Sequence, residues 1–314
     1  MLEAEAGQLG RQTQAAVEAA LWEDLGSDRP VIEDDVTSAL VVDPGGTATA
    51  AVLSRQAGVI AGAWVAVEVF RQLGGQVELA ALVADGEAVD PGQQILQLGG
   101  PATALLAGER TALNFLQRLS GVATLTRRFV DQVAGTGARI TDTRKTTPGL
   151  RWLEKRAVRL GGGVNHRLGL YDAVLIKENH AATAGGVVAA VARARAGAAA
   201  RGTPDLRIMV EARTLAEVQA LVSAPPGQRP DRILLDNMAP AELGACVAAA
   251  RRADRAVELE ATGGVSLDTV RAIAGTGVDL ISVGALTHSA PALDLSMLFE
   301  GALQAPGTHR APGA

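Results

Sequence analysis

The sequence predicts an α/β barrel of parallel strands preceded by a smaller α+β unit. Short apolar runs recur at 138–141, 173–176, 207–210, 232–235, 256–259 and 280–283. Each run ends in a charged residue or in glycine: Arg144 and Lys145, Lys177, Glu211, Asp236, Glu260 with Gly263 and Gly264, and Gly284. A helix-like stretch follows each one. In a barrel of parallel strands all such ends share one rim, so residues distant in sequence meet in one pocket.

The elements follow in order. Residues 1–25 read as a helix, because Val17, Leu21 and Leu25 recur at fourfold spacing. The run 31–38 holds Glu33, Asp34, Asp35 and Thr37, an acidic pair plus hydroxyl that resembles a ribose-diphosphate motif. A polar turn precedes it and no glycine opens a phosphate loop, so helix capping or an inter-domain role is its reading. Residues 47–53, 77–83 and 94–98 read as strands separated by glycine turns. Residues 63–73 read as a helix closed by Gly74 and Gly75. The turn around Asp85 and Gly86 is similar to those of lipoyl domains, but the modified lysine is absent. From Pro101 a long helix carries Leu105, Leu113, Leu116 and Leu119 towards Val133 and links the two parts. The expected division is 1–118 for the first domain, with 291–314 packing back on it, and 119–290 for the barrel. The tail 304–314, rich in proline and glycine, is expected to fray.

Composition narrows the function. With 29 basic and 34 acidic residues the net charge is −5, which argues against nucleic-acid binding through a basic face. One cysteine, Cys246, excludes a disulfide framework and a thiolate metal cluster. The first residues carry no secretory pattern, and no uncharged apolar run can span a bilayer. A cytoplasmic protein without membrane partners is expected. Only three of the 29 basic residues are lysine, Lys145, Lys155 and Lys177, all in one short segment. Chance clustering is one reading. A need for compact ammonium groups at Lys145 and Lys177 is the other.

Five clusters can carry chemistry. The run 143–151 holds Arg144 and Lys145 at a strand end with hydroxyls and Pro148-Gly149 behind them. It is either a solvated loop or an anion clamp. Gly161, Gly162 and Gly163 lead to His166 and Arg167, two further donors beside that clamp. Lys177 ends the next strand and can serve the same cluster or act as a Schiff-base lysine; His180 can cap the helix that follows. Glu211 and Asp236 end consecutive strands, with Asn237 adjacent. They can be structural ion-pair partners, accept ribose hydroxyls, ligate Mg²⁺ through water or stabilise an oxocarbenium-like centre. Thr262-Gly263-Gly264 and Gly284 follow the last two strands, where barrels often bind phosphate through backbone N–H groups.

In their order, Glu109-Arg110-Thr111, Thr143-Arg144-Lys145-Thr146, Gly161 to Arg167, Lys177-Glu178-Asn179-His180, Leu235-Asp236-Asn237, Thr262-Gly263-Gly264 and Ile281 to His288 resemble the quinolinate phosphoribosyltransferase family. The resemblance runs from about residue 15 to 298. It implies an open-faced N-terminal α+β domain and an incomplete, seven-stranded α/β barrel, with 164–167 supplying a short extra strand. It implies transfer of phosphoribosyl from 5-phosphoribosyl-1-diphosphate to quinolinate with loss of CO₂, giving nicotinate mononucleotide and diphosphate in NAD synthesis. It further implies Mg²⁺ and a homodimer, or a hexamer built from dimers, with shared sites. Arg110, Arg144, His166, Arg167 and Lys177 would contact carboxylates and phosphates, Arg110 in the neighbour's site. Lys145 would sit at the diphosphate or reacting centre. Glu211 and Asp236 would face ribose and metal, and Thr262, Gly263 and Gly284 would hold the 5′-phosphate. The chain departs from the family pattern at Met209, where a second glutamate is usual, at Thr262 for serine, and in an insertion at 225–230. The alternatives are a same-fold paralogue with another acceptor, a lysine Schiff-base aldolase or synthase, and a non-catalytic ligand-binding protein.

Overall fold

The structure, a computed structural model, describes residues 3–27, 29–74, 76–253 and 256–304. The expected frayed tail beyond Gln304, and Gly75 as a helix stop, lie outside the described residues. In chain order the elements are α1 (Glu3–Leu25), α2 (Val36–Val41), β1 (Thr47–Ser54), β2 (Gly58–Val59), α3 (Ala63–Gln72), β3 (Glu78–Ala81), β4 (Ala88–Val89), β5 (Gln94–Pro101) and α4 (Ala102–Gln132). They continue as β6 (Arg139–Thr141), α5 (Arg151–Leu160), β7 (Val174–Ile176), α6 (Glu178–Ala184), α7 (Val187–Ala200), β8 (Ile208–Ala212) and α8 (Leu215–Ser223). The last are β9 (Arg232–Asp236), α9 (Pro240–Ala253), β10 (Glu258–Thr262), α10 (Val270–Ala274), β11 (Leu280–Ser282), α11 (Ala285–His288) and β12 (Leu295–Gln304). No described helix is long and apolar enough to cross a membrane.

The chain divides into two compact units. The first comprises 1–125, 147–162 and 290–314; the second comprises 126–146 and 163–289. A cut at 118 therefore misses one exchange: α5 belongs to the first unit although it lies between two strands of the second.

In the first unit an antiparallel sheet runs in the order β12-β1-β5-β3, with a separate β2-β4 ribbon. The C-terminal segment enters this sheet as β12, paired along the length of β1. Helix α4 passes under the chain at Gly121, where a Cβ would lie 2.1 Å from the carbonyl oxygen of Pro291. Local signals are satisfied as their chemistry dictates. Asp35 accepts from the N–H groups of Thr37 and Ser38 and caps α2, so the acidic run at 31–38 is a helix start. Asp85 accepts from the N–H groups of Gly62 and Ala63 at the start of α3. Glu154 and Lys155 of α5 are buried. Glu154 accepts from Arg118 Nη2 at 2.8 Å, Thr147 Oγ1 at 2.7 Å and Thr147 N at 3.0 Å. Lys155 is thus a core lysine, and its place beside the other two in sequence has no counterpart at their site.

The second unit is a parallel sheet of order β6-β11-β10-β9-β8-β7, and Val164 adds a single bridge beside Thr141 of β6. The extra strand expected at 164–167 is this one-residue bridge. Both faces of such strands are covered, so they read as nearly continuous apolar runs. Two aspartates brace the N-terminal ends of the strands. Asp231 accepts from Ile208 N and from Arg195, and Asp279 accepts from Leu259 N and from Arg251. Each therefore ties a neighbouring strand and a helix to one carboxylate. Thr214 and Glu217 form a reciprocal capping box that starts α8 directly after β8.

The barrel interior is not purely apolar. Met209 packs with Ala173, Leu234 and Leu175, whereas β9 and β10 turn Arg232, Glu258 and Glu260 inward. The expected end of β10 at 259 is corrected by this. Glu258 and Glu260 interrupt the apolar pattern, yet the strand continues to Thr262, because Arg232 pairs with both acids. Removing one partner of such a buried pair costs about 3–5 kcal/mol.

Candidate active site

At the C-terminal ends of these strands lies a cavity of about 680 Å³. Its wall takes Arg144 and Lys145 from beyond β6, His166 and Arg167 from beyond the Val164 bridge, and Lys177 from beyond β7. Glu211 comes from β8, Asp236 from β9, and Thr262 and Gly263 from the end of β10. Residues as far apart in sequence as 144 and 263 share one pocket because parallel strands point their C-terminal ends the same way.

The cations are tied down from behind. The Lys145 N–H donates to Thr143 Oγ1 at 3.0 Å, and Thr287 Oγ1 donates to the Lys145 carbonyl at 2.8 Å. Arg167 Nη1 donates to the Ala173 carbonyl at 2.9 Å. Burial, followed by repulsion from Arg144, pushes the Arg167 guanidinium below its ordinary value. Two cations held this close favour an anion between them. Lys177 Nζ lies 3.7 Å from Glu211 Oε1 and its side chain is 56 % exposed. The backbone N–H of Lys177, the N-cap of α6, donates to His180 Nδ1, so His180 helps to cap that helix.

The acids are set differently. Burial pushes the Glu211 carboxyl up, Lys177 opposes this, and Asp236 adds to it. These two carboxylates therefore feel one another. Asp236 lies 3.5 Å from Arg213 Nε, and Arg213 also pairs with Glu178. Glu260, fully buried in the middle of β10, is raised by burial against the opposing pull of Arg232.

Beyond β10 the backbone turns through Gly263 and Gly264 at φ +93 and +61. A Cβ on Gly263 would meet Asn237 Oδ1 at 2.2 Å. Asn237 itself has φ 54, and its N–H donates to the Thr262 carbonyl. Gly284 lies against the Lys145 stem, where a Cβ would come within 3.2 Å of Cδ and 3.1 Å of His288 Nε2. Its service is room for these two side chains.

The expected residues Arg144, Lys145, His166, Arg167, Lys177, Glu211, Asp236, Thr262 and Gly263 meet in the pocket. Gly284 stands behind Lys145. Arg110 lies on α4 in the first unit, exposed, and is not among the residues of this wall. Asn237, expected beside Asp236, is also in the wall; Arg213 and Ser282 join it without having been expected as site residues, and Glu260 joins as part of it. Arg213 carries no sequence signal, since an arginine just past a strand reads as solvated. The insertion at 225–230 lies before β9, at the opposite end from Asp236.

A parallel barrel whose rim gathers five cations around three acids and a glycine turn defines an enzyme for polyanionic substrates. Comparison with known proteins sharpens this class. Residues 35–120 match the model of the quinolinate phosphoribosyl transferase N-terminal domain, and 122–298 match its C-terminal domain. A nicotinate-nucleotide pyrophosphorylase [carboxylating] of Mycobacterium leprae is 45% identical over 84% of this chain and 90% of its own length. The chloroplastic enzyme of that name from Arabidopsis thaliana is 38% identical over 91% of this chain and 82% of its own. The solved nicotinate-nucleotide pyrophosphorylase of Francisella tularensis superposes with a TM-score of 0.83 at 36% identity, covering 92% of this chain and 96% of that one. The chain belongs to the quinolinate phosphoribosyltransferase family.

Proposed function

We infer that the chain transfers phosphoribosyl from 5-phosphoribosyl-1-diphosphate to quinolinate with decarboxylation, yielding nicotinate mononucleotide, diphosphate and CO₂ for NAD synthesis. The observation that carries this is the convergence of Arg144, Lys145, Arg167 and Lys177 on one cavity beside Glu211 and Asp236. Arg144, Arg167 and Lys177, with the His166 wall, hold the two acceptor carboxylates. Thr262 and Gly263 receive the 5′-phosphate. Lys145 faces the departing diphosphate. Glu211 and Asp236 stabilise positive charge on the ribose as the bond to diphosphate lengthens and the pyridine nitrogen attacks. Loss of the neighbouring carboxylate then leaves its electron pair in the cationic ring. No covalent nucleophile is needed; positioning and fixed charge supply the barrier reduction. Met209 removes a carboxylate from the ribose side, which leaves Glu211, Asp236 and Asn237 for the hydroxyls.

No cluster of three or more metal-ligating residues occurs among the described residues. Two carboxylates on adjacent strands nevertheless suit Mg²⁺, which binds through one or two carboxylates plus substrate phosphates and water. Glu211 and Asp236 would hold it, and it would supply charge neutralisation at the diphosphate. Chelation should abolish turnover and added Mg²⁺ should restore it; metal-independent turnover would contradict this assignment.

The chain is read further as a cytoplasmic homodimer or dimer-based hexamer in which Arg110 serves the neighbour's pocket. Exposed Val36, Leu40 and Val41 on α2 support a covered face. Mixing an inactive Arg110→Ala chain with an inactive Lys145→Ala chain should restore part of the activity. If the mixture remains inactive while subunits exchange, sites are not shared.

Formation of nicotinate mononucleotide from quinolinate and the donor, with nicotinate as control acceptor, tests the reaction. Equal use of nicotinate would transfer the assignment to a paralogue. A Schiff-base mechanism is disfavoured, because Lys177 is half exposed and paired with Glu211. Borohydride trapping with a carbonyl substrate should leave the chain unmodified.

A further inference from the structure

The floor of the pocket holds a carboxylate, Glu260, to which the proposed reaction gives no part. Glu260 Oε2 accepts from Arg232 Nη1 at 2.6 Å, and Arg232 is itself held by Glu258. Glu260 Oε1 is buried, and among the described residues no donor meets it in hydrogen-bonding geometry, although the Ser282 hydroxyl also bonds this carboxylate. A buried acceptor without a donor is costly, by about 1–3 kcal/mol, and calls for a role. His166 Nε2 lies 3.7 Å from this oxygen.

His166 is fixed from its other side. Its backbone N–H donates to Asp142 Oδ1 at 2.9 Å. Its Nδ1 accepts from the N–H of Arg167 at 2.7 Å. A ring nitrogen that accepts carries no proton, so the proton of the neutral imidazole sits on Nε2, towards Glu260. The imidazole therefore offers its wall to the cavity, while both nitrogens serve the protein. What it governs is the peptide N–H at which the chain turns to present Arg167.

We propose that Glu260 is a positioning residue: it holds the proton on His166 Nε2, keeps Nδ1 as the acceptor for Arg167 N–H, and so sets the Arg167 guanidinium for the acceptor's carboxylate. It touches no substrate. The string that runs from partly exposed Glu258 through buried Arg232, Glu260 and His166 ends on the backbone of Arg167, and the orphaned oxygen is its open link. Closure of the 3.7 Å gap when Arg167 takes an anion would complete it. The inference rests on reading the pocket as the acceptor site, but the tautomer it requires does not.

The test uses the full chain labelled with ¹⁵N at its four histidines. Two-bond nitrogen–proton correlations report which ring nitrogen is protonated, and loss of one signal set in His166→Gln assigns His166. The wild type should show Nε2–H. Glu260→Gln, in which an amide can donate to Nε2, should shift His166 towards Nδ1–H. It should raise KM for quinolinate by about 10- to 100-fold, the scale of a misplaced positioning group, with a smaller change in kcat. If Glu260→Gln fails to fold, the double variant Glu260→Met with Arg232→Met replaces the buried pair by apolar groups, a change that is often tolerated. It should show the same KM effect and a mixed tautomer. A wild-type Nδ1–H tautomer, or variants with an unchanged tautomer and KM within about twofold, would overturn the proposal. A wild type inactive with quinolinate but showing Nε2–H that Glu260→Gln shifts would fault the acceptor and leave the Glu260–His166 link standing.

Discussion

Replacing Lys145 by alanine is expected to lower kcat by about 10²- to 10³-fold, the usual cost of removing one preorganised charge from a transition state. The melting temperature should stay where it is. The two expectations come from different atoms of the same residue. The Lys145 backbone is pinned by the Thr143 and Thr287 hydroxyls, which alanine leaves intact. The side chain is exposed to the cavity, so truncation opens no core void. Gly284 gives the stem its path, and a larger residue there should produce a milder version of the same defect. Steady-state kinetics beside thermal denaturation separates the two readouts. An unchanged kcat would remove Lys145 from the chemistry.

A large effect on stability is expected in the first unit as well. Arg118→Ala should cost about 3–5 kcal/mol, because it strips the cation from a buried carboxylate. Glu154 is fully buried, and Arg118 reaches it with Nη2 at 2.8 Å and Nε at 3.3 Å. Arg118 Nη1 also donates to the Ala290 carbonyl, so one side chain braces α4, α5 and the returning C-terminal segment. Thr147 would remain as the donor to Glu154, which is too little for a charge. Chemical denaturation reads the loss directly. A change within about 0.5 kcal/mol, typical of surface positions, would show that the pair is not a brace.

Much of the barrel was legible because its strands repeat a simple rule: an apolar run, then a polar residue at the rim. Lys177, Glu211 and Asp236 are found by that rule alone. It fails at Glu260, where the polar residue belongs to the strand interior and is tolerated only through Arg232, 28 positions away. It fails again at Arg213, whose pairing with Glu178 and Asp236 spans three separate segments. Helix α5 departs in another way, since Lys155 shares a short segment with Lys145 and Lys177 yet is buried beside Glu154 in the first unit. His166 reads as a potential cation beside Arg167. Which of its nitrogens is occupied depends on the local turn, and no spacing of residue types encodes that. The assignment of quinolinate over other polyanions rests on the ordered motifs and the family match, because a cation-rich rim by itself specifies charge and not a ring.

One pocket that binds a dianionic pyridine and a phosphorylated sugar together must couple their joining to decarboxylation. The direct measurement is release of labelled CO₂ from the 2-carboxylate of quinolinate, with and without 5-phosphoribosyl-1-diphosphate. The account predicts no release without the donor and one CO₂ per diphosphate with it. Release without the donor, or nucleotide formed with both carboxylates retained, would contradict it.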